Sequence, residues 1–227
     1  MARPGSAVLP PSLRRRLVPI AALAALVVVV LGVWYAGHGR PGRVDRWIIR
    51  ATTDDVRPPW RYVALALDFL GEPGGAAMLV TAIVTGCLLL RRPRVAVFAV
   101  AGVGASVGAA TLLKHLVGRT IHGDGNLSYP SGHTAFATAL SFAVALLVSG
   151  RPGHGGTART SLVLAAALVA GAAMGWAEVA LGAHYPTDVL GGGCTALVVM
   201  PATAWLVDRT ADRLAGRSAD TGRGERH

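Results

Sequence analysis

The sequence has few charged side chains and almost no cysteine. Only 15% of its 227 residues are Asp, Glu, Lys or Arg, whereas hydrophobic residues make up 52% and the mean hydropathy is +0.49. A soluble domain carries about 25% charged residues, so this composition indicates a membrane protein. The two cysteines, Cys87 and Cys194, lie in separate apolar segments. This placement excludes a disulfide framework and gives no paired spacing for a metal.

The basic residues are not arranged as a nucleic-acid binding surface. The formal net charge is +10, but the arginines fall in short clusters between apolar segments, without interleaved aromatic residues. Membrane proteins distribute their basic residues in this way. We therefore expect the chain to be surrounded by membrane lipids and to have no nucleic-acid partner.

Long apolar runs predict an all-α integral membrane bundle of six helices, because about 20 apolar residues are enough to cross a bilayer. Residues 1–16 are expected to form a cytoplasmic tail, and residues 208–227 a second, disordered one. The polar loop 37–72 is expected to lie on the outer surface as short amphipathic helices. The predicted spans of the membrane domain 17–207 are residues 17–36, 73–90, 95–117, 134–148, 161–181 and 188–207.

A cleaved signal peptide is the alternative interpretation of the first apolar run. The region where cleavage would occur carries Trp34 and Tyr35 instead of a small-x-small pattern. We therefore interpret the run as a retained helix with aromatic residues at its outer end.

The distribution of Lys and Arg predicts how the bundle crosses the membrane. Six spans place both termini on one side. Cytoplasmic termini put 14 basic residues inside and 8 outside, and six of those outside lie in the acid-containing loop 37–72. The positive-inside rule therefore favours cytoplasmic termini in the cell membrane. The loop 118–133 and the segment 182–188 then emerge on the outer face.

Three polar clusters meet at this outer face. Residues 114–119 end the third span, and Pro-Ser-Gly-His at 130–133 opens the fourth. Ser131 suits the cap of that helix, whose free N–H groups form an anion site. The third cluster runs from His184 to Asp188, which are four residues apart, so a helical turn places them on one face. An Asp against one imidazole nitrogen makes the other nitrogen a better nucleophile.

The three clusters resemble the motifs of the type 2 phosphatidic acid phosphatase (PAP2) superfamily, whose members are membrane lipid-phosphate phosphatases related in site architecture to vanadium haloperoxidases. The family pattern is Lys-x6-Arg-Pro, then Pro-Ser-Gly-His, then Ser-Arg-x5-His-x3-Asp. The resemblance covers roughly residues 60–207. It implies a PAP2-type six-helix fold and a phosphatase that needs no cofactor and no metal, and the sequence shows no carboxylate cluster for a metal.

The resemblance also implies a role for each matching residue. His184 would be the nucleophile that forms a phosphohistidine, and Asp188 would orient it. His133 would be the general acid that protonates the leaving oxygen. The phosphoryl oxygens would be bound by Lys114, Ser131 and the backbone N–H of Gly132.

The match fails at both arginines of the family pattern. Ile121 stands in place of the first, and Glu178 in place of the second. Both losses affect phosphate binding, because the guanidinium of Arg is the preferred bidentate donor to phosphate oxygens. One hypothesis is that Arg119, helped by His122, replaces the missing ligand. A second is that Glu178 points away from the phosphate, or pairs with Lys114 or Arg119 as a resting-state gate.

We predict hydrolysis of a lipid phosphate at the outer leaflet, with polyprenyl phosphates or diphosphates, phosphatidic acid and phosphatidylglycerol phosphate as candidates. A phosphotransferase that passes the phosphoryl group to an alcohol is a variant. The missing arginines leave open a protein of this fold that binds a lipid phosphate without catalysis. Vanadate binding would favour the enzyme. A transporter is disfavoured, because the polar residues cluster at span ends and not at mid-depth.

Overall fold

The computed structural model describes residues 7–53, 56–149 and 156–224, apart from the side chains of Thr53 and residues 218–224. Residues 1–6 of the predicted N-terminal tail and the last three residues lie outside these ranges. The regular structure within them is helical, with one isolated β-bridge. The helices are α1 (Pro11–Trp34), α2 (Arg43–Thr53), α3 (Trp60–Gly71), α4 (Pro73–Leu89), α5 (Pro93–Val117), α6 (Gly132–Ser149), α7 (Gly156–Ala180) and α8 (Pro186–Gly224).

Five helices are each long and apolar enough to cross a membrane, namely α1, α5, α6, α7 and the Pro186–Arg217 part of α8. Helices α3 and α4 meet the same criterion together, with a bend of 68° between them, and count as a sixth span if they are taken as one. The bend occurs at Glu72, whose backbone is extended, and Pro73 begins α4. Proline suits the first turn of a helix, where its missing N–H group costs no hydrogen bond. The prediction of an all-α multi-pass membrane protein is confirmed.

The helix limits differ from the predicted spans at both ends of the chain. Helix α1 begins at Pro11 and so includes basic residues that were assigned to the tail, and α8 continues to Gly224, where disorder was expected. The two ends contact each other, because the Asp208 carboxylate accepts hydrogen bonds from the N–H groups of Val8, at 2.8 Å, and Leu9, at 3.0 Å. A hydropathy pattern does not show such a contact between distant segments.

Helix α6 lies at the centre of the bundle and contacts α3, α4, α5, α7 and α8. Phe98 of α5 and Phe142 of α6 pack ring against ring in its core, with their centroids 6.5 Å apart. The start of α6 approaches α8 closely at Gly192, where a Cβ atom would overlap the carbonyl oxygen of Ser131. Glycine is therefore required there, and the close approach brings residues 131–133 beside the first turns of α8.

The described termini lie at one end of the bundle and the three polar clusters at the other. The contact of Asp208 with Val8 and Leu9 marks the terminal end. Helix α8 runs from there back to Pro186, which follows the end of α7 and lies beside the start of α6. The loops that the sequence placed on a common face therefore do meet. Residues 37–72 contain two short helices, α2 and α3, of which α3 belongs to the bent pair with α4.

Candidate active site

His184 lies in the turn between α7 and α8, with its side chain only 9% exposed. Its Nδ1 atom is 3.7 Å from Oδ2 of Asp188, and its Nε2 atom is 3.4 Å from Oε2 of Glu178. The predicted one-turn spacing of His184 and Asp188 therefore places them side by side, although 3.7 Å exceeds hydrogen-bond length. Burial lowers the pKa of His184, because loss of water disfavours the charged ring. The neutral ring is the form that a nucleophile requires.

His133 projects from the first turn of α6 and has acidic side chains on both of its nitrogens. Nδ1 is 3.9 Å from Oε2 of Glu178, while Nε2 is 3.9 Å from Oδ1 of Asp68 and 3.7 Å from Oε1 of Glu72. The ring packs directly on Gly71, where a Cβ atom would overlap it. The two histidines of the predicted site thus approach the same Glu178 oxygen.

Ser131 caps α6 as the sequence predicted, since its Oγ accepts the N–H of Thr134 at 3.2 Å. Its own N–H donates to the carbonyl oxygen of Asp188 at 2.9 Å. The first N–H groups of a helix have no partner within that helix. The start of α6, including Gly132, therefore presents donors next to the His184–Asp188 pair.

Lys114 lies near the same carboxylates, one turn before the end of α5. Its Nζ donates to the carbonyl oxygen of Leu127 at 3.0 Å, and its charge interacts with those of Asp188 and Glu178. The long side chain is partly buried and has donor capacity left for a second acceptor.

Arg119 is fully buried and its guanidinium is held from several sides. Nη1 donates to Oδ1 of Asp188 and to Oγ1 of Thr187, each at 2.6 Å, and Nη2 donates to Oδ2 of Asp45 at 2.7 Å. Asp45 also accepts bonds from the N–H of Thr187, at 3.0 Å, and the N–H of Gly42, at 2.9 Å. The group links the α5–α6 loop to α2 and to the start of α8.

Two tyrosine rings cover the faces of the same guanidinium. Its central carbon lies 3.8 Å from the ring centroid of Tyr35 and 4.4 Å from that of Tyr185. Moving Arg119 towards a phosphate would leave two buried carboxylates without their cation, which is strongly unfavourable. This placement contradicts the expected role of Arg119 as a phosphate ligand.

His122, which was expected to help replace the missing arginine, is exposed and contacts a backbone carbonyl outside the phosphate-binding residues. Its Nε2 is 2.7 Å from the carbonyl oxygen of Gly182. This contact joins the α5–α6 loop to the turn after α7, so the structure supports a linking role for His122.

Glu178 points into the site, which contradicts the hypothesis that it turns away. Its side chain is 1% exposed, and its Oε2 lies between the two histidines. Among the ion pairs of the described residues, Glu178 has its contacts with His133 and His184 and none with Lys114 or Arg119. With Asp68 and Glu72, three carboxylates surround the His133 ring, where the sequence showed no carboxylate cluster.

Asp45 is the site residue that sequence reasoning missed. Burial alone would raise the pKa of Asp45, but hydrogen bonds from Gly42, Arg119 and Thr187 outweigh burial and lower it. An acid in a polar loop 74 positions before Arg119 carries no signal of this contact. Its pairing partner is visible only in the folded chain.

An apolar cavity of about 450 Å³ opens beside these residues, between α3, α4, α6 and α7. Some of the residues that line the cavity lie within one helical turn of site residues, on three different helices. Leu67 and Leu70 flank Asp68, Phe136 follows His133, and Met174 precedes Glu178. The remaining lining is aliphatic apart from Ser141.

Comparison with known proteins identifies the family and the fold of the chain. Residues 15–212 match the family model of the PAP2 superfamily, and the chain belongs to that superfamily. A solved structure, that of a transmembrane PAP2-type phosphatidylglycerolphosphate phosphatase from Bacillus subtilis, is similar with a TM-score of 0.65. The match covers 85% of this chain and 96% of that one at 20% identity, which shows a shared fold. No curated protein matches by sequence.

We expect Asp45→Asn to destabilise the protein, because a neutral amide leaves a buried guanidinium under-compensated, at a cost of about 3–5 kcal/mol. The lowered pKa of Asp45 has a second consequence. Its stabilisation is complete above the unfolded-state pKa of about 3.9 and is lost as pH falls through the lower folded-state value. Melting temperatures in detergent should therefore fall less steeply for Asp45→Asn than for the wild type below about pH 4.

Asp124→Asn is the control, because Asp124 is exposed in the α5–α6 loop. It should melt as the wild type does. Equal melting temperatures for Asp45→Asn and Asp124→Asn would show that the buried cluster around Arg119 does not stabilise the fold.

Proposed function

We propose that the protein is a phosphatase that releases phosphate from a lipid phosphate at the outer face of the cell membrane, through a phosphohistidine on His184. The observation that carries the proposal is the convergence of His184, Asp188 and His133 at the start of α6. Membership of the PAP2 superfamily supports phosphatase chemistry in general.

In the first step, Nε2 of His184 would attack phosphorus while the bond from phosphorus to the lipid oxygen breaks. His133 would donate a proton to the departing oxygen, which leaves as an alcohol. Asp188 would accept a hydrogen bond from the Nδ1–H group of His184 and stabilise the positive charge that develops on the ring. Arg119 serves as a positioning residue, since it fixes one oxygen of Asp188 and leaves the other facing His184.

In the second step, a water molecule would attack the phosphorus of the phosphohistidine. His133, neutral after the first step, would accept a proton from this water. The bond from Nε2 to phosphorus breaks and inorganic phosphate leaves. Donors for the phosphoryl oxygens are Lys114 and the N–H groups at the start of α6. Phosphoryl transfer depends mainly on such positioning and charge stabilisation.

Glu178 would act as a gate over the nucleophile. Its Oε2 lies 3.4 Å from Nε2 of His184, and phosphorus must approach to about this distance for attack. A carboxylate about 4 Å from a phosphate charge costs on the order of 1 kcal/mol at the dielectric of water, and about 4 kcal/mol at an effective dielectric of 20. The side chain must therefore rotate, or be neutralised, before the substrate binds productively.

The apolar cavity supports a lipid substrate. It lies between α3, α4, α6 and α7, and its lining residues Phe136 and Met174 are within one turn of His133 and Glu178. An acyl or prenyl chain could occupy it while its phosphate reaches the nucleophile. The cluster of basic residues at the opposite, terminal end of the bundle supports a cytoplasmic location for the termini and an outer location for the site.

One observation favours a second function, a protein that binds lipid phosphate without turnover. Glu178 occupies the position of a family arginine and covers the reactive nitrogen. A protein without turnover would not bind vanadate as a transition-state mimic, whereas the proposed enzyme would be inhibited by it.

The direct test measures phosphate release from a panel of lipid phosphates by the purified protein in detergent. His184→Ala should reduce release by roughly three orders of magnitude or more, because the nucleophile is lost. His115→Ala is the control, since His115 is exposed on α5, and it should retain wild-type rates. A fully active His184→Ala protein would contradict the proposed nucleophile, and a folded wild type that binds lipid without turnover would favour the second function.

The cavity predicts a substitution that separates lipid from soluble substrates. Ala170→Phe would fill part of the cavity wall, and each buried methylene that is lost costs about 0.8 kcal/mol. We expect KM for a long-chain lipid phosphate to rise by about 10-fold, which corresponds to 1.4 kcal/mol, while hydrolysis of p-nitrophenyl phosphate is unchanged. Ala109→Phe, in a groove between α1, α5 and α8, is the matched control. Equal effects of both variants on the lipid would rule out this cavity as the chain-binding site.

A further inference from the structure

Glu178 and His184 direct two hydrogen-bond acceptors at each other in the candidate site. In the proposed mechanism the ring proton of His184 is on Nδ1, which faces Asp188 at 3.7 Å, so Nε2 carries a lone pair. Oε2 of Glu178 lies 3.4 Å from that nitrogen. A carboxylate oxygen and an unprotonated nitrogen repel each other at this distance unless a proton lies between them. Because the His184 ring is neutral, this proton belongs to the carboxyl group of Glu178.

The charged groups around Glu178 favour the same neutral form. Its side chain is 1% exposed, and its carboxyl group interacts with those of Asp68 and Glu72 on α3 and with the ammonium group of Lys114 on α5. His133 on α6 is a further titratable neighbour, with Nδ1 3.9 Å from Oε2. A neutral Glu178 leaves two carboxylates opposite two cations, Lys114 and the protonated general acid His133. An ionised Glu178 would add a buried charge without a cation of its own, which is costly.

A bound phosphoryl group would lie within reach of this carboxyl group. Phosphorus must come to about 3–3.5 Å from Nε2 of His184 for attack, which brings its oxygens beside Glu178. Oε1 of Glu178 is buried and has no hydrogen-bond partner, although buried polar atoms are normally paired. An ionised carboxylate would repel the phosphoryl oxygens, whereas a neutral carboxylic acid donates a strong hydrogen bond to them. Acids kept neutral in apolar sites donate to oxyanions in this way.

We propose that Glu178 binds the substrate as a neutral carboxylic acid and donates its O–H group to a phosphoryl oxygen, in place of the arginine that the family pattern has at this position. The inference rests on the function proposed above and identifies a further phosphate-binding residue of that site. Substrate binding turns the proton of Glu178 away from Nε2 of His184 and towards the phosphate, which frees the nitrogen for attack.

The proton of Glu178 is separate from the one that the reaction transfers. It stays on the carboxyl group through both chemical steps, while His133 gives a proton to the departing alcohol and later takes one from water. The binding of a phosphate dianion and the retention of this proton are therefore coupled. Loss of the proton at high pH places a negative charge beside the phosphate and weakens its binding.

The first experiment measures tungstate binding by calorimetry on the full-length protein in detergent. Tungstate mimics phosphate and stays a dianion from about pH 6 to pH 9, so its own titration does not contribute. At about pH 6 we expect Glu178→Ala to bind roughly 10-fold more weakly than the wild type, because a donor to a charged group is lost. Glu178→Gln should recover most of this loss, since an amide also donates. Glu178→Ala that binds as tightly as the wild type, or more tightly, would overturn the proposal, because relief of repulsion predicts that order.

The pH dependence of binding distinguishes a carboxyl group from an amide. We expect the ratio of wild-type to Glu178→Gln affinity to fall as pH rises, by up to about 10-fold per pH unit once Glu178 loses its proton. The other titrating groups are common to both proteins and cancel in this ratio. Asp124→Asn, a substitution of an exposed acid, should follow the wild type, and melting temperatures show that each variant is folded. A ratio that rises with pH would contradict the proposal.

The second experiment measures phosphate release from a panel of lipid phosphates by the same proteins at about pH 6. We expect Glu178→Ala to lose roughly 10-fold in kcat/KM, mainly through KM, because a phosphate-binding donor is missing. Tungstate binding in the expected order without phosphate release from any lipid would remove the proposed function and keep the role of Glu178. Phosphate release by Glu178→Ala at the wild-type kcat/KM would overturn the role of Glu178 and leave the phosphatase.

Discussion

The buried guanidinium of Arg119 is the interaction on which the site depends. It joins Asp45 of α2, Thr187 and Asp188 of α8 and the loop before α6, and two tyrosine rings close over its faces. Such a cluster is stable only when every charge has its partner, because an isolated charge in the interior is costly. The same bonds fix the carboxylate of Asp188 and thereby orient it towards His184.

Because its guanidinium is bonded to Asp45 and Asp188, Arg119 is not available as a phosphate ligand. The family positions for arginine hold Ile121 and Glu178, so in the proposed mechanism the positive charge for phosphate comes from Lys114 and from the N–H groups at the start of α6. The Oε2 atom of Glu178 lies between the two histidines. In the proposed mechanism this side chain must rotate or be neutralised before the substrate binds.

The sequence predicts the parts of this site that depend on local spacing. His184 and Asp188 lie one turn apart, Ser131 caps α6, and apolar runs predict most of the membrane helices. It does not predict contacts that depend on how distant segments meet. Asp45 gives no sign that it pairs with Arg119, and the approach of Asp68 and Glu72 to His133 joins the end of α3 to the start of α6. Local spacing therefore predicts which nearby residues lie side by side, whereas contacts between distant segments require the fold.

Trapping the covalent intermediate would test the proposed mechanism at its first chemical step. The protein would be mixed with a lipid carrying labelled phosphate, quenched rapidly in alkali, where phosphohistidine survives, and mapped by peptide mass spectrometry. We expect an acid-labile phosphoryl group on the peptide that contains His184, and none in the His184→Ala protein. Turnover of the labelled lipid with no phosphoryl group on His184, or with the label on another residue, would contradict it.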